Sequence, residues 1–307
     1  MDELRRACAT VAGLARHVTV VTEAIPGYAR TLADEASATA PATPMAPADP
    51  REREARAAYW LTMDAINFGS GWFPTLRKRA GLSGSNTIAT ALRERFDQAG
   101  AWTAGELAQM DAPVLALVLE QDPGHELMGL YAASLRHLGE RLLARYRGRF
   151  SAVADAAGDS AVSLARRLGT WPSFADCSAY GDLEIPFLKR AQIAAADLHR
   201  AGVARFADLH RLTMFADNLV PHVLRLDGVV SFDSGLVARI DREELIAHGS
   251  PEEVEIRACA VHAVELLVAA WPQDSISAAA LDEVLWHRGQ QPRYKASPRH
   301  RSRCTAY

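Results

Sequence analysis

Apolar residues recur along most of this chain at three- and four-residue spacing, the period of a helix that buries one face. The pattern predicts helix over residues 1–35 and again from Arg51 through REREARAAYWLTMDAI. It returns at TIATALRERFDQAG, AGELAQMDAPVLALVLEQ, GHELMGLYAASLRHLGERLLARYRG, SAVSLARRLG and IPFLKRAQIAAADLHRAG. In the last of these, Gly202 is placed to end the helix in a left-handed turn. In SPEEVEIRACAVHAVELLVAAW, Ser250 is an N-cap, Pro251 the first helical residue and Glu253 the third, the order of a capping box opening an apolar run. A final helix, AALDEVLWHR, ends near Gly289. Strand signals are confined to VTVVTEA (18–24) and GVVSFD (228–233), which are short and isolated. The fold class is therefore mainly α-helical. No repeat and no strong internal boundary interrupts the pattern, so residues 1–307 are expected to form a single domain. The Ala- and Pro-rich stretch SATAPATPMAPADP, residues 37–50, has little to bury and reads as a linker or mobile loop.

Composition narrows the function by exclusion. With 307 residues, 49% hydrophobic and 23% charged, the chain resembles an ordinary globular protein. No apolar run approaches the roughly 18 residues of a membrane helix, and the acids near the start do not suit a signal peptide. Cys8, Cys177, Cys259 and Cys304 form no CxxC pair, which suits a reducing cytoplasm rather than a zinc site or a disulfide framework. A net charge of -3 counts against long nucleic acid as a partner. The ten histidines supply no HExxH, and neither GxGxxG nor a P-loop occurs, so no metal and no cofactor is expected. Only three of the 34 basic residues are lysine: Lys78, Lys189 and Lys295. In so arginine-rich a chain, a compact ammonium draws attention.

Four constellations offer chemistry. In LTMFADNLVPHVLR (212–225), Pro221 is comfortable only in the first turn of a helix, which places the start near Asp217 or Asn218. A carboxylate there faces unpaired N–H groups and the positive end of the helix dipole. It is an ordinary cap or a reactive group. In FLKRAQIAAADLH (187–199), Lys189 and Arg190 begin an otherwise apolar helix, either as a snorkelling surface pair or as site cations. The aromatic residues of NFGSGWFP (67–74) either pack a loop into the core or stack on a planar base. Glu265 shares a helix face with Val254, Ala258, Val261 and Val268, where a carboxylate needs an internal salt bridge or a raised pKa.

Taken together, NFGSGWF, SGSNTIATALRERFDQAG, FLKRAQIAAADLH, LTMFADNLVPHVL, SPEEVEIRACAVHAVELL, ALDEVLW and PRHRSRCTAY resemble the queuosine-salvage family, the queuosine 5′-phosphate N-glycosylases. The likeness covers most of residues 55–307, and KRAQIxxAD with TMFAD is its most specific part. It implies a helical fold similar to helix-hairpin-helix DNA glycosylases, with the Gly202 turn as the hairpin. It implies hydrolysis of queuosine 5′-monophosphate to queuine and ribose 5-phosphate by a cytoplasmic monomer. The partner implied is this small molecule, with no long nucleic acid and no membrane. The family's catalytic aspartate falls on Asp217 and its motif lysine on Lys189. A 7-deazaguanine leaving group lacks N7, so the base must be steadied through its other edges and by stacking. Phe68, Trp72 and Phe215 are the stacking candidates, with Asn67 and Asn218 as further substrate contacts. Asp282 beside Trp286 is the candidate acceptor for queuine's side-chain amine and diol. Lys189 or the basic tail from Arg293 to Arg303 would hold the 5′-phosphate. Whether Asp217 attacks or orients water stays open. The alternative is a helix-hairpin-helix repair glycosylase or DNA-binding module.

Overall fold

Segments with helical spacing fold as helices, and the departures fall where a turn residue or a strand partner intervenes. The computed structural model describes residues 1–36, 46–272 and 276–307. Of the expected linker at 37–50, residues 37–45 lie outside the described residues; Asp49 is an N-cap, accepting from the backbone of Arg51 and Glu52, and Pro50 is the first residue of the helix that follows. In chain order the elements are α1 (Asp2–Leu14), β1 (Val18–Val20), α2 (Ile25–Ala36), α3 (Pro50–Ala65), α4 (Gly84–Ala99), α5 (Ala104–Ala108), α6 (Ala112–Val118) and α7 (Glu126–Tyr146). There follow α8 (Ser151–Asp155), α9 (Ala161–Gly169), β2 (Ser178–Tyr180), β3 (Leu183–Ile185), α10 (Lys189–Arg200) and α11 (Leu219–Leu226). The last are β4 (Val230–Phe232), α12 (Ser234–Asp241), α13 (Pro251–Ala269), α14 (Ala278–Arg288) and α15 (Pro292–Lys295). No helix among the described residues is long and apolar enough to cross a membrane.

These elements gather into two compact units, each drawn from separate stretches of chain. The first takes the N-terminal region, Cys177–Lys189 and His210–Arg303; the second takes the central region through Asp176, Arg190–Leu209 and Cys304–Tyr307. In the first unit, the helix expected over residues 1–35 is two helices with a strand between them. The two strand signals that looked isolated are each other's partners: β1 and β4 pair antiparallel, with Val18 opposite Phe232 and Val20 opposite Val230. Residues 185–188, expected to open a helix, instead end β3 and form a turn. Pairing of Ile185 with Ser178 takes that backbone, and Leu188 in the left-handed region (φ 53) delays the helix to Lys189. A non-glycine residue there costs of order 1–3 kcal/mol.

The centre of the first unit is α13. Ser250 caps it by accepting from Glu253 N, while the Glu253 side chain reaches back to Gly249 N rather than to the cap residue itself. A single apolar face was expected, but Val254, Ile256, Ala258, Ala260, Val261 and Val264 bury several sides of it. Its charged residues persist there because they are partnered. Glu255 accepts from the backbone N–H groups of Arg16, His17 and Val18 and from the Tyr180 hydroxyl, tying β1 to the β2–β3 hairpin. Glu265 pairs with Arg5 at 2.9 Å, an internal salt bridge.

In the second unit, α7 runs through the core with Leu127, Tyr131, Leu135, Leu138 and Leu142 buried. Gly139 lets α5 pack so closely that a Cβ would collide with the backbone of Ala104 and Ala108. One helix over residues 104–121 was expected; Pro113 instead starts a fresh helix, capped by Asp111, whose carboxylate accepts from Val114 N. After α10 the chain turns at Gly202 (φ 71), as its position after the last helical residue predicted.

Candidate active site

The segment from Leu212 to Val220 is fixed almost residue by residue. Arg5 donates to Leu212 O at 3.2 Å, and the Phe215 N–H donates to Asp282 Oδ1 at 2.9 Å. Arg257 Nε donates to Ala216 O at 2.9 Å, and the Asn218 side-chain amide donates to His300 O at 3.1 Å. The Asp217 N–H closes a tight turn onto Phe215 O at 2.7 Å. Asp217 Oδ1 then accepts from Leu219 N at 2.8 Å and Val220 N at 3.1 Å, so this aspartate, and not Asn218, supplies the side-chain cap of α11. Pro221 falls in the first turn, where its missing N–H costs nothing. Asp217 Oδ2 engages in no hydrogen bond among the described residues.

The electrostatics of this segment are those of a carboxylate pair flanked by cations. Asp282, on α14, is buried. Burial first, and then the negative charge of Asp217, push its carboxyl well above the usual carboxylate range; the Phe215 N–H and the Lys189 charge pull the other way. Lys189, the first residue of α10, is itself buried, at 5% exposure, so it is no snorkelling surface residue. Burial lowers the Arg299 guanidinium, and attraction to Asp217 draws it back up. Phe215 and Asp217 are half-buried, with Asn218 buried beside them.

The expected basic tail is folded into the first unit, and its cations are mostly committed. Arg293 and Arg288 pair with Asp227, to which Tyr28 and Tyr294 also donate. Arg301 pairs with Glu243 at 3.1 Å, His300 is buried and Lys295 is exposed. Arg299 makes no ion pair within hydrogen-bonding distance among the described residues. Trp286, at 39% exposure, meets the ring of His287 edge-on and sits one turn after Asp282 on α14.

The remaining candidates lie in the second unit. Phe68 is buried, edge-on to Tyr131 and 4.8 Å from the Arg190 guanidinium. Arg190 is buried too and donates to Ala65 O and Ser173 O, so it is a core cation. Trp72 is buried and donates to Glu126 at 2.7 Å; Asn67 is half-buried at the end of α3. Gly69 sits at φ 111, a backbone conformation that L side chains rarely adopt, and a Cβ there would also lie 2.8 Å from the Leu127 side chain. No group of three or more metal-ligating side chains occurs among the described residues.

Sequence reasoning missed Arg257, fully buried on α13, which holds the carbonyl next to Asp217 and lies 3.9 Å from the Phe187 ring. Its spacing four residues after Glu253 on an apolar helix was the available signal.

A helical fold with a carboxylate capping one helix beside a second, buried carboxyl and two cations has the parts of a glycosyl hydrolase site. Comparison with known proteins gives that arrangement a family. The model of the queuosine salvage protein family matches residues 47–307. The queuosine 5′-phosphate N-glycosylase/hydrolase of Sphaerobacter thermophilus is 37% identical over 266 residues, 83% of this chain and 82% of its own. The proteins of the same name from Schizosaccharomyces pombe and Mus musculus are 34% and 32% identical, over 50% and 56% of this chain and 45% and 56% of theirs. The chain belongs to the queuosine salvage protein family.

Proposed function

We propose that Asp217 is the centre at which this chain hydrolyses the N-glycosidic bond of queuosine 5′-monophosphate, releasing queuine and ribose 5-phosphate. The observation that carries this is the capped carboxylate itself: one oxygen is held by two helix N–H groups and the other is uncommitted. As the bond from C1′ to the base nitrogen breaks, positive charge grows on the sugar, and a fixed carboxylate beside C1′ stabilises it. Asp217 acts there either as nucleophile or by orienting water. Arg257 and Asp282 hold the backbone on either side, so the carboxylate is placed before substrate arrives.

Phe215, Asn218 and Trp286 are assigned to the base and its side chain, and Lys189 with Arg299 to the 5′-phosphate. Asn67, Phe68 and Trp72 are assigned on sequence likeness alone, and the Phe68 ring already packs on Tyr131 and Arg190. We read residues 1–307 as one N-glycosylase domain, a reading supported by a family match that runs through both units. Its fold is proposed to be similar to helix-hairpin-helix DNA glycosylases, although the link from α10 to α11 includes a separate 3-10 turn at Leu209–Arg211. Free cysteines and a net charge of -3 support a cytoplasmic monomer that acts on a free nucleotide, without metal or long nucleic acid. The test is incubation of the purified protein with queuosine 5′-monophosphate and mass spectrometry for free queuine. Queuine release by the wild type that is absent with Asp217→Asn is expected. Equal release by both would remove Asp217, and salt-sensitive binding to duplex DNA without release would favour a repair-type module.

A further inference from the structure

We infer that Asp282 is a second catalytic residue, the acid that delivers a proton to the departing base while Asp217 faces the sugar. This rests on the hydrolysis proposed above. The geometry is a matched pair. Asp282 Oδ1 is pinned by the Phe215 N–H and Asp217 Oδ1 by the N–H groups of Leu219 and Val220, so both carboxyls are fixed to one short stretch of chain. Neither Oδ2 makes a hydrogen bond among the described residues. Two such groups side by side do not both carry charge readily, and the more buried one keeps the proton. Asp282 is that one: it is buried while Asp217 is half-buried, and burial and Asp217 both favour its neutral form. The other charged groups facing it are Lys189 and, on its own helix, Glu283, whose effects oppose each other.

A neutral carboxyl in this place suits the substrate. The base lacks N7, where a purine leaving group would ordinarily take its proton, so a fixed acid must meet it at another atom. In the step, the bond from C1′ to the base nitrogen breaks with its electron pair going to the base. The proton on Asp282 Oδ2 goes to the base, and a water oxygen bonds C1′. The proton that water gives up is taken by the Asp217 carboxylate and released to solvent, and Asp282 takes a proton back from solvent, which restores the starting state. Asp282 therefore acts as a donor and not as the ionised acceptor of the queuine side-chain amine that the sequence suggested.

The test uses Asp282→Asn, which keeps an oxygen for the Phe215 N–H and is uncharged like the acid it replaces, but has no proton to transfer. Rates are measured on queuosine 5′-monophosphate and on 4-nitrophenyl riboside 5-phosphate, whose leaving group departs without protonation. With the former substrate, turnover falls about a hundredfold or more, the scale of general acid catalysis. With the latter, the variant stays within about tenfold of wild type on the same reasoning. The wild-type rate on queuosine 5′-monophosphate also falls as pH rises through the Asp282 titration, and that basic limb is lost in the variant. Equal losses on the two substrates, or an unchanged basic limb, would overturn the acid role and leave Asp282 a structural acceptor. These outcomes are read against wild-type queuine release; its absence would instead remove the hydrolysis itself. Wild type alone decides the matter if the variant does not fold: the basic limb must appear on the nucleotide and not on the nitrophenyl substrate.

Discussion

Replacing Asp217 with asparagine separates charge from structure. The asparagine side chain keeps an acceptor for Leu219 N and Val220 N, which lie 2.8 and 3.1 Å from the present Oδ1. Asn and Asp are comparable N-caps, so stability should change by only a few tenths of a kcal/mol. What disappears is a full negative charge facing the developing cation. Two opposite unit charges about 4 Å apart at an effective dielectric of 20 attract by about 4 kcal/mol. Losing one preorganised electrostatic stabiliser costs about 2.7–4 kcal/mol in measured cases. At about 1.36 kcal/mol per decade, turnover should drop roughly a hundred- to a thousandfold. Binding should change much less, because the sugar carries no such charge in the ground state. Single-turnover release of queuine, measured beside urea unfolding of both proteins, checks each half. Turnover within about tenfold of wild type would refute the electrostatic role, since the expected loss is far larger. A large loss of stability in the variant would show that the cap, and not the charge, had been tested.

Lys189→Ala should narrow the preference in kcat/KM for queuosine 5′-monophosphate over queuosine by about ten- to a hundredfold, the scale of one charge-assisted hydrogen bond; an unchanged ratio clears Lys189. Activity should survive exhaustive EDTA treatment, and loss restored by zinc or magnesium would demand a ligand set. Urea midpoints should fall as pH drops below about 6.5. Burial lowers His222 to about 4 and His300 to about 3, so the unfolded chain takes up protons first and stability drains away as pH falls from 6.5 through those values. Below about 4.5, Glu253 adds to the loss: burial alone would raise it, but His248 and Arg257 hold it at about 2. A flat midpoint from pH 7 to 4 would contradict this ordering.

The helical character, the cap at the start of α11, the Ser250 cap and the Gly202 turn were all legible, because each depends on residues within one turn of one another. The pairing of β1 with β4 was not, since three residues on each side carry too little pattern to name a partner across the sequence. The split near Pro113 and the delay of α10 to Lys189 show local turn and strand demands overriding a good apolar period. For the proposed site, the family resemblance and the chemistry of the base, rather than spacing alone, singled out Asp217, Lys189 and Asp282 as candidates. They missed Arg257, whose role depends on a carbonyl far away in sequence, and they left Arg299 within a general basic tail. Only folding showed that Arg293 and Arg301 are committed to Asp227 and Glu243. Asp282 was legible as a candidate, but the upward push on its carboxyl, from burial and then from the charge of Asp217, depends on the fold.

The most direct test of the hydrolytic claim is a short incubation of the metal-free wild-type protein with queuosine 5′-monophosphate in water enriched in oxygen-18. Free queuine and ribose 5-phosphate should form in equal amounts, with the heavy oxygen in the sugar phosphate and none in the base. Intact substrate after many equivalents of time and enzyme, or label appearing in the base, would contradict it.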